Sequence, residues 1–198
     1  MRPREELLFS KYDIQSGLRN APRQMIEAIE RLSDSELLTS DENALIDRFV
    51  SSYTIVVPVL AIDDRTASEH DVVPDEYSRG GGPRQTEIRF RVPFTGSREV
   101  FFCRPSTFSL DPPYAIVDAH ALVIPVVRSD HDHEAYKREF EHRIGDIVIH
   151  LDRLRQDCAG QDSRLRQTAQ SQLAKRREKR RRDSELLDKL GIPKSREP

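Results

Sequence analysis

Seven bases crowd into AKRREKRRR: Lys175, Arg176, Arg177, Lys179, Arg180, Arg181 and Arg182. On a helix these side chains project in every direction, so the sequence predicts a solvated rod that no apolar core can accept. Arginine forks reach phosphate oxygens through several donors without reading bases, which makes the rod a candidate contact for a nucleic-acid backbone. Upstream, SDHDHE sets His131, Asp132, His133 and Glu134 side by side. Each is a ligand type for zinc or another divalent ion. Ligands to one metal alternate along a strand or stand four apart on a helix, however, and this cluster spans a predicted helix entry. Asp130 or Asp132 suits an N-cap there, so the spacing predicts capping and no resident metal.

A third stretch, PDEYSRGGGPRQTEIRF, holds an acid after a proline, then an acid and a base one residue apart. Asp75, Glu87 and Arg89 thus follow the order Asp…Glu-x-Lys, in which two carboxylates hold a divalent metal and a lysine supports the attacking water. Arginine stays protonated and cannot share the proton handling of lysine. Alternation in TEIRFRV equally describes a sheet with one wet face. A fourth stretch, RPSTFSLDPP, reads as a fixed surface loop. Phe108 and Tyr114 beside Arg104 are candidates for stacking on a base, or for closing one end of a small core. No phosphate loop, zinc-ligand pattern, nucleophile elbow or dinucleotide fingerprint occurs, and no cofactor is implied.

The elements that must hold these residues change character along the chain. Residues 161–198 carry twelve Lys or Arg against six Asp or Glu, while the rest carry twenty against twenty-eight. Only the C-terminal part should therefore attract polyanions. The first twenty residues show no period. Met25, Ile26, Ile29 and Leu32 in APRQMIEAIERL recur at helical spacing, and a second helix reads from an N-cap at Ser40 or Asp41, with Leu45, Ile46 and Phe49 on one face. TIVVPVLAI, residues 54–62, has the β-branched continuity of a buried strand, with Pro58 at an edge or bulge. Residues 63–86 read as a long exposed loop. TEIRFRV and REVFFCR suggest a hairpin turning at Gly96, and YAIVDAHALVIPVV a second one turning near Asp118–His120. From His133 a seam of Tyr136, Phe140, Ile144, Ile147, Leu151, Leu154 and Cys158 follows spacings of three and four, the period of a coiled coil or of a helix packed lengthwise on a partner. Gly160 marks a break. Leu165, Ala169 and Leu173 continue a thinner stripe, which disappears into the bases and resumes at Leu186, Leu187 and Leu190.

The expected class is α+β: a small, mostly antiparallel sheet with N-terminal helices and a long C-terminal helical, coiled-coil-like region. The expected domains are a helix-plus-sheet domain at 1–130 with its exposed loop, long amphipathic then basic helices at 131–190, and a linker-like tail at 191–198. Cys103 and Cys158 lie far apart without CxxC spacing, as buried thiols of a reducing cytoplasm do. No segment has the length and apolarity of a signal peptide or membrane span, so a cytoplasmic location with no membrane partner is expected.

The order hairpin, RPSTFSLDPP, hairpin, amphipathic helix, RR-rich helix and LLDKLGIPKSR resembles, over about residues 85–196, the N-terminal region of a group of largely uncharacterised bacterial proteins. In that group the LGIP-plus-basic segment is similar to a junction leading into a restriction-endonuclease-like nuclease domain. The resemblance implies an accessory or regulatory module of a nuclease-type, genome-defence effector, and carries over no catalytic residue. The expected function is thus a non-enzymatic binding, oligomerisation or regulatory module. Phe140, Ile144, Ile147, Leu151 and Leu154 would associate with a second copy. The alternative is a nucleic-acid-binding protein using residues 175–182, and a degenerate metal-dependent nuclease stands third.

Overall fold

A computed structural model describes residues 4–72, 85–107, 110–130 and 132–191. Its elements are β1 (Glu6–Leu7), β2 (Tyr12–Asp13), α1 (Ile14–Glu30), α2 (Asp34–Thr39), α3 (Glu42–Tyr53), β3 (Val59–Leu60), β4 (Thr66–Val72), β5 (Gln85–Thr95), β6 (Cys103–Arg104), β7 (Tyr114–Val117), β8 (Ala121–Arg128), α4 (His133–Cys158) and α5 (Gln161–Leu190), with short 3-10 turns at Ile62–Asp64 and Arg98–Phe102. The class is α+β, as the sequence implies. Contacts sort the chain into two units, each assembled from separated segments: 1–16 with 55–158, and 17–54 with 159–198.

The first unit is a six-stranded sheet in the order β1-β7-β8-β5-β3, with β4 also paired to β5. β5 is its spine. It runs antiparallel to β8 from Thr86↔Arg128 to Pro93↔Ala121. Along its other side β3 covers Thr95 and Phe94, and β4 covers Arg91 through Gln85. The 3-10 turn at Ile62–Asp64 interrupts what would otherwise be one strand. Because side chains alternate along a strand, β5 presents two unlike faces. Ile88, Phe90 and Val92 lie on the side of Leu122, Ile124 and Val126, all three buried. α4 seals this side: Phe140 stacks on Phe90 at 4.5 Å, and the Tyr136 hydroxyl donates to the Thr86 carbonyl at 2.8 Å. Burial, with Asp130 nearby, raises the Tyr136 hydroxyl above its ordinary range, so it stays a donor.

The second unit is helical. Asp41 caps α3 by accepting from the Ala44 N–H at 2.9 Å, and Ser33 caps α2 by accepting from Glu36 at 3.2 Å. Met25 and Ile29 of α1, Leu37 of α2, and Leu45, Ile46 and Phe49 of α3 form one cluster with Leu165, Ala169 and Leu173 of α5. All three α5 positions are fully buried.

Several expectations change. α4 and α5 do not form one region at 131–190: α4 packs with the sheet, while α5 completes the core of the N-terminal helices. Gly160, in the left-handed region at φ 71°, stands between the two helices in the chain. The seam assigned to self-association is instead covered inside the chain, since Phe140, Ile144, Ile147, Leu151 and Leu154 are all buried within the single molecule. α1 starts at Ile14, well before its periodic stretch. The 54–62 run is no buried strand: only Val59 and Leu60 join the ladder, and Val56 and Val59 face solvent. Pro58 cannot donate to a ladder, which limits the pairing on its side. Part of the predicted loop 63–86 is β4, and residues 73–84 lie outside the described residues. The first hairpin is absent because 98–102 wind into a 3-10 turn and β6 pairs in parallel with β2. The second hairpin forms as predicted, with Ile116↔Val123 and Val117↔Leu122 in register.

Candidate functional site

The sheet face away from α4 carries the chemistry of the first unit. Register places Ser68 opposite Arg89 and His70 opposite Glu87 on β4 and β5, and Arg91 opposite Val123 on β5 and β8. Ser68, His70, Arg89 and Arg91, with Arg98 from the following 3-10 turn, line a cleft of about 490 Å³, floored by Ile116 and Val123. Arg89 is committed: its Nε donates to Glu87 Oε1 at 2.5 Å, and both side chains are largely buried. Arg91 Nη1 donates to Asp118 Oδ2 at 2.8 Å, in the turn between β7 and β8. That guanidinium, and then the Ala119 N–H, hold the Asp118 carboxyl below the usual carboxylate range. The Ser68 hydroxyl and His70 Nε2 are 3.0 Å apart. Among the described residues Arg98 has no hydrogen-bonded or ion-paired carboxylate, although its charge is felt at Asp118. Three guanidinium groups thus share the cleft with one carboxylate, Asp118, while Glu87 holds Arg89 without itself lining it.

In α5 the bases are largely spoken for, contrary to the solvated rod expected from sequence. Arg176 donates to the carbonyls of Ile29 and Leu32, and Arg177 to those of Leu37 at 3.2 Å and Ser40 at 3.1 Å and to the Glu42 carboxylate. These carbonyls stand at the C-terminal ends of α1 and α2, where intrahelical donors run out and the dipole favours a cation. Only 19% of the Arg176 side chain and 27% of the Arg177 side chain remain exposed, so both belong to the folded interior of the unit. Arg180 pairs with Asp34. Arg181 binds Glu178 at 3.0 Å and Glu185 at 2.6 Å, and Arg182 binds Glu178 at 2.7 Å. The two hydrogen-bonded arginines lower the Glu178 carboxyl to about 2. Among the described residues, Lys175 and Lys179 alone of the seven bases have no ion pair.

Other candidates separate as well. Asp132 Oδ1 accepts from the Glu134 N–H at 3.0 Å and the Ala135 N–H at 3.3 Å, the capping role expected at the start of α4. His133 contacts Glu134 at 3.3 Å, and His131 lies outside the described residues. Asp75 also lies outside them; the other two members of the nuclease-like triplet, Glu87 and Arg89, form an ion pair. Phe108 is likewise undescribed. The loop before it is held to α4 by the Ser106 N–H donating to Asp157 at 2.8 Å, as a fixed surface loop requires. Cys103 and Cys158 form no disulfide, and burial raises the Cys103 thiol, so it is a poor nucleophile. No helix of the described residues is long and apolar enough to cross a membrane.

Sequence reasoning missed Ser68, His70, Arg91, Arg98 and Asp118 as one constellation. Alternation in TEIRFRV marks Glu87, Arg89 and Arg91 as one wet face, and was the available signal. TASEHDV has no apolar stripe to mark β4, and Arg98 enters from a turn read as strand. No protein-family model matches this chain, and no curated protein or solved structure is significantly similar to it.

Proposed function

We propose that this chain is a non-enzymatic binding module whose recognition surface is the cleft-bearing face of the sheet. The observation that carries this reading is the unlikeness of the two faces: α4 seals one, while the other holds a cleft of about 490 Å³ with charged walls and an apolar floor. Concave sites of that size with a few convergent polar groups are the usual form of a small-ligand site. Glu87 supports a binding role over a catalytic one, because it is buried against Arg89 and held by it. The resemblance over residues 85–196 supports placing the module beside a nuclease-type effector. The α5 bases lend a phosphate-backbone role less support than their number promises, since the five arginines already have acceptors within the chain.

The test compares wild type with the Arg91→Gln/Arg98→Gln double variant in a thermal-shift panel of small organic anions, oligonucleotides and peptides. Stabilisation of the wild type that the variant loses is expected for at least one class. A panel in which every shift is equal in the two proteins would remove the reading. So would magnesium-dependent DNA cleavage that Glu87→Gln abolishes.

A further inference from the structure

We infer that the sheet cleft of the first unit binds a small phosphate monoester, its phosphate on Arg91 and Arg98 and its organic body on Ile116 and Val123. The inference rests on the proposed recognition role of that face and names its ligand class. Its basis is an imbalance within one cleft. Arg89, Arg91 and Arg98 line it, Glu87 neutralises the first and Asp118 the second, and no carboxylate among the described residues is bonded to the third. An anion entering there meets one uncompensated guanidinium and a second whose existing pair is half exposed and screened by solvent.

The shape of the charge favours phosphate over carboxylate. A planar carboxylate is satisfied by one bidentate arginine fork, whereas a phosphate monoester presents three terminal oxygens that can take donors from separate directions. Arg91 rises from β5 and Arg98 from the 3-10 turn that follows it, so two forks reach the cleft from different elements. The Ser68 hydroxyl adds a neutral group able to donate or accept. Volume argues for a body beyond the anion. About 490 Å³ falls within the range occupied by organic ligands. The floor of Ile116 and Val123 offers the apolar surface on which a sugar or ring edge can rest.

Adenosine 5′-monophosphate is the probe, titrated calorimetrically into the full chain, with adenosine, inorganic phosphate, a benzoate-type carboxylate and a short oligonucleotide as comparators. The monophosphate should bind and adenosine should not. Arg98→Gln should weaken binding by about tenfold or more, the usual worth of a hydrogen bond to a charged group. Its melting temperature should stay close to the wild-type value, because Arg98 is exposed and is bonded to no carboxylate among the described residues. Arg91→Gln should weaken binding further, and Arg138→Gln, on α4, should leave it unchanged. No binding of the monophosphate, or binding indifferent to Arg98→Gln, overturns the inference. If the carboxylate or the oligonucleotide binds through Arg98 and the monophosphate does not, the ligand class is wrong and the recognition face stands. If nothing binds through Arg98, both fall together.

Discussion

Arg176 and Arg177 stand just beyond Leu173, the last buried apolar position of α5, and continue its inward face with guanidinium groups in place of methyl groups. From sequence this reads as the end of the stripe, because a hydrophobic pattern counts only apolar residues. The physical need at that point is different: the ends of α1 and α2 present carbonyls that require donors, and an arginine fork supplies two or three at once. Changing Arg176 or Arg177 to alanine should therefore cost about 1.5–3 kcal/mol each, the range for hydrogen bonds to a charged group. Lys175→Ala should stay within roughly 0.5 kcal/mol, as surface changes do. Denaturant melts of the three variants check this, and equal midpoints would refute it. Glu178 gives a second residue-level test. Its folded carboxyl sits at about 2 against an ordinary 4.5, so its contribution to stability is complete above the ordinary value and fades as pH falls towards 2. An NMR titration of the Glu178 carboxyl should show that low midpoint. Arg181→Gln/Arg182→Gln should return it towards 4.5, whereas an unmoved midpoint would contradict the pairing.

Among the elements, α4 was the most legible. Its seam holds one period over about six turns, and no local chemistry competes with it. The outcome is a helix from His133 to Cys158 laid along a sheet, with Ile147, Leu151 and Leu154 fully buried. Leu151→Ala or Ile147→Ala should cost roughly 2–5 kcal/mol in chemical denaturation, through lost burial and a residual cavity. Losses below about 1 kcal/mol would mean that the seam is not packed as described. The period revealed a covered face but not its cover, which is why a second copy of the chain was inferred where the sheet serves. β3 and β4 were the least legible elements. Val56 and Val59 look like core residues yet face water, and β4 is polar on both sides, so its pairing with β5 left no hydrophobic trace. The cleft shared that fate: Ser68, His70 and Arg98 of its wall stand on β4 and in the 98–102 turn.

For the whole molecule, the decisive fact is that both units are built from separated stretches of chain. Composition already distinguishes the basic end from the acidic remainder, but it cannot show that the basic end closes a core begun near residue 25. Leu165, Ala169 and Leu173 supply that closure. A chain cut after Cys158 should consequently lose hydrogen-exchange protection throughout 17–54, while the amides of β5 and β8 keep theirs. Retained protection in α3 would show that the N-terminal helices stand without α5. The expected boundary at residue 130 was drawn where the period changes, and period reports the type of an element rather than its neighbour in space.

The clamp of Arg176 on Ile29 joins positions 147 residues apart, and this separation sets an order of events during synthesis. At about 5–20 residues per second, α1 leaves the ribosome roughly seven to thirty seconds before its partner helix exists. In that interval Met25, Ile29, Leu45 and Phe49 lack the cover of α5, while every strand from β3 to β8, and then α4, is made between them and α5. The nascent chain therefore carries an exposed sticky surface for most of its own translation. Its yield in cells should depend on a holding chaperone far more than the stability of the finished protein would suggest.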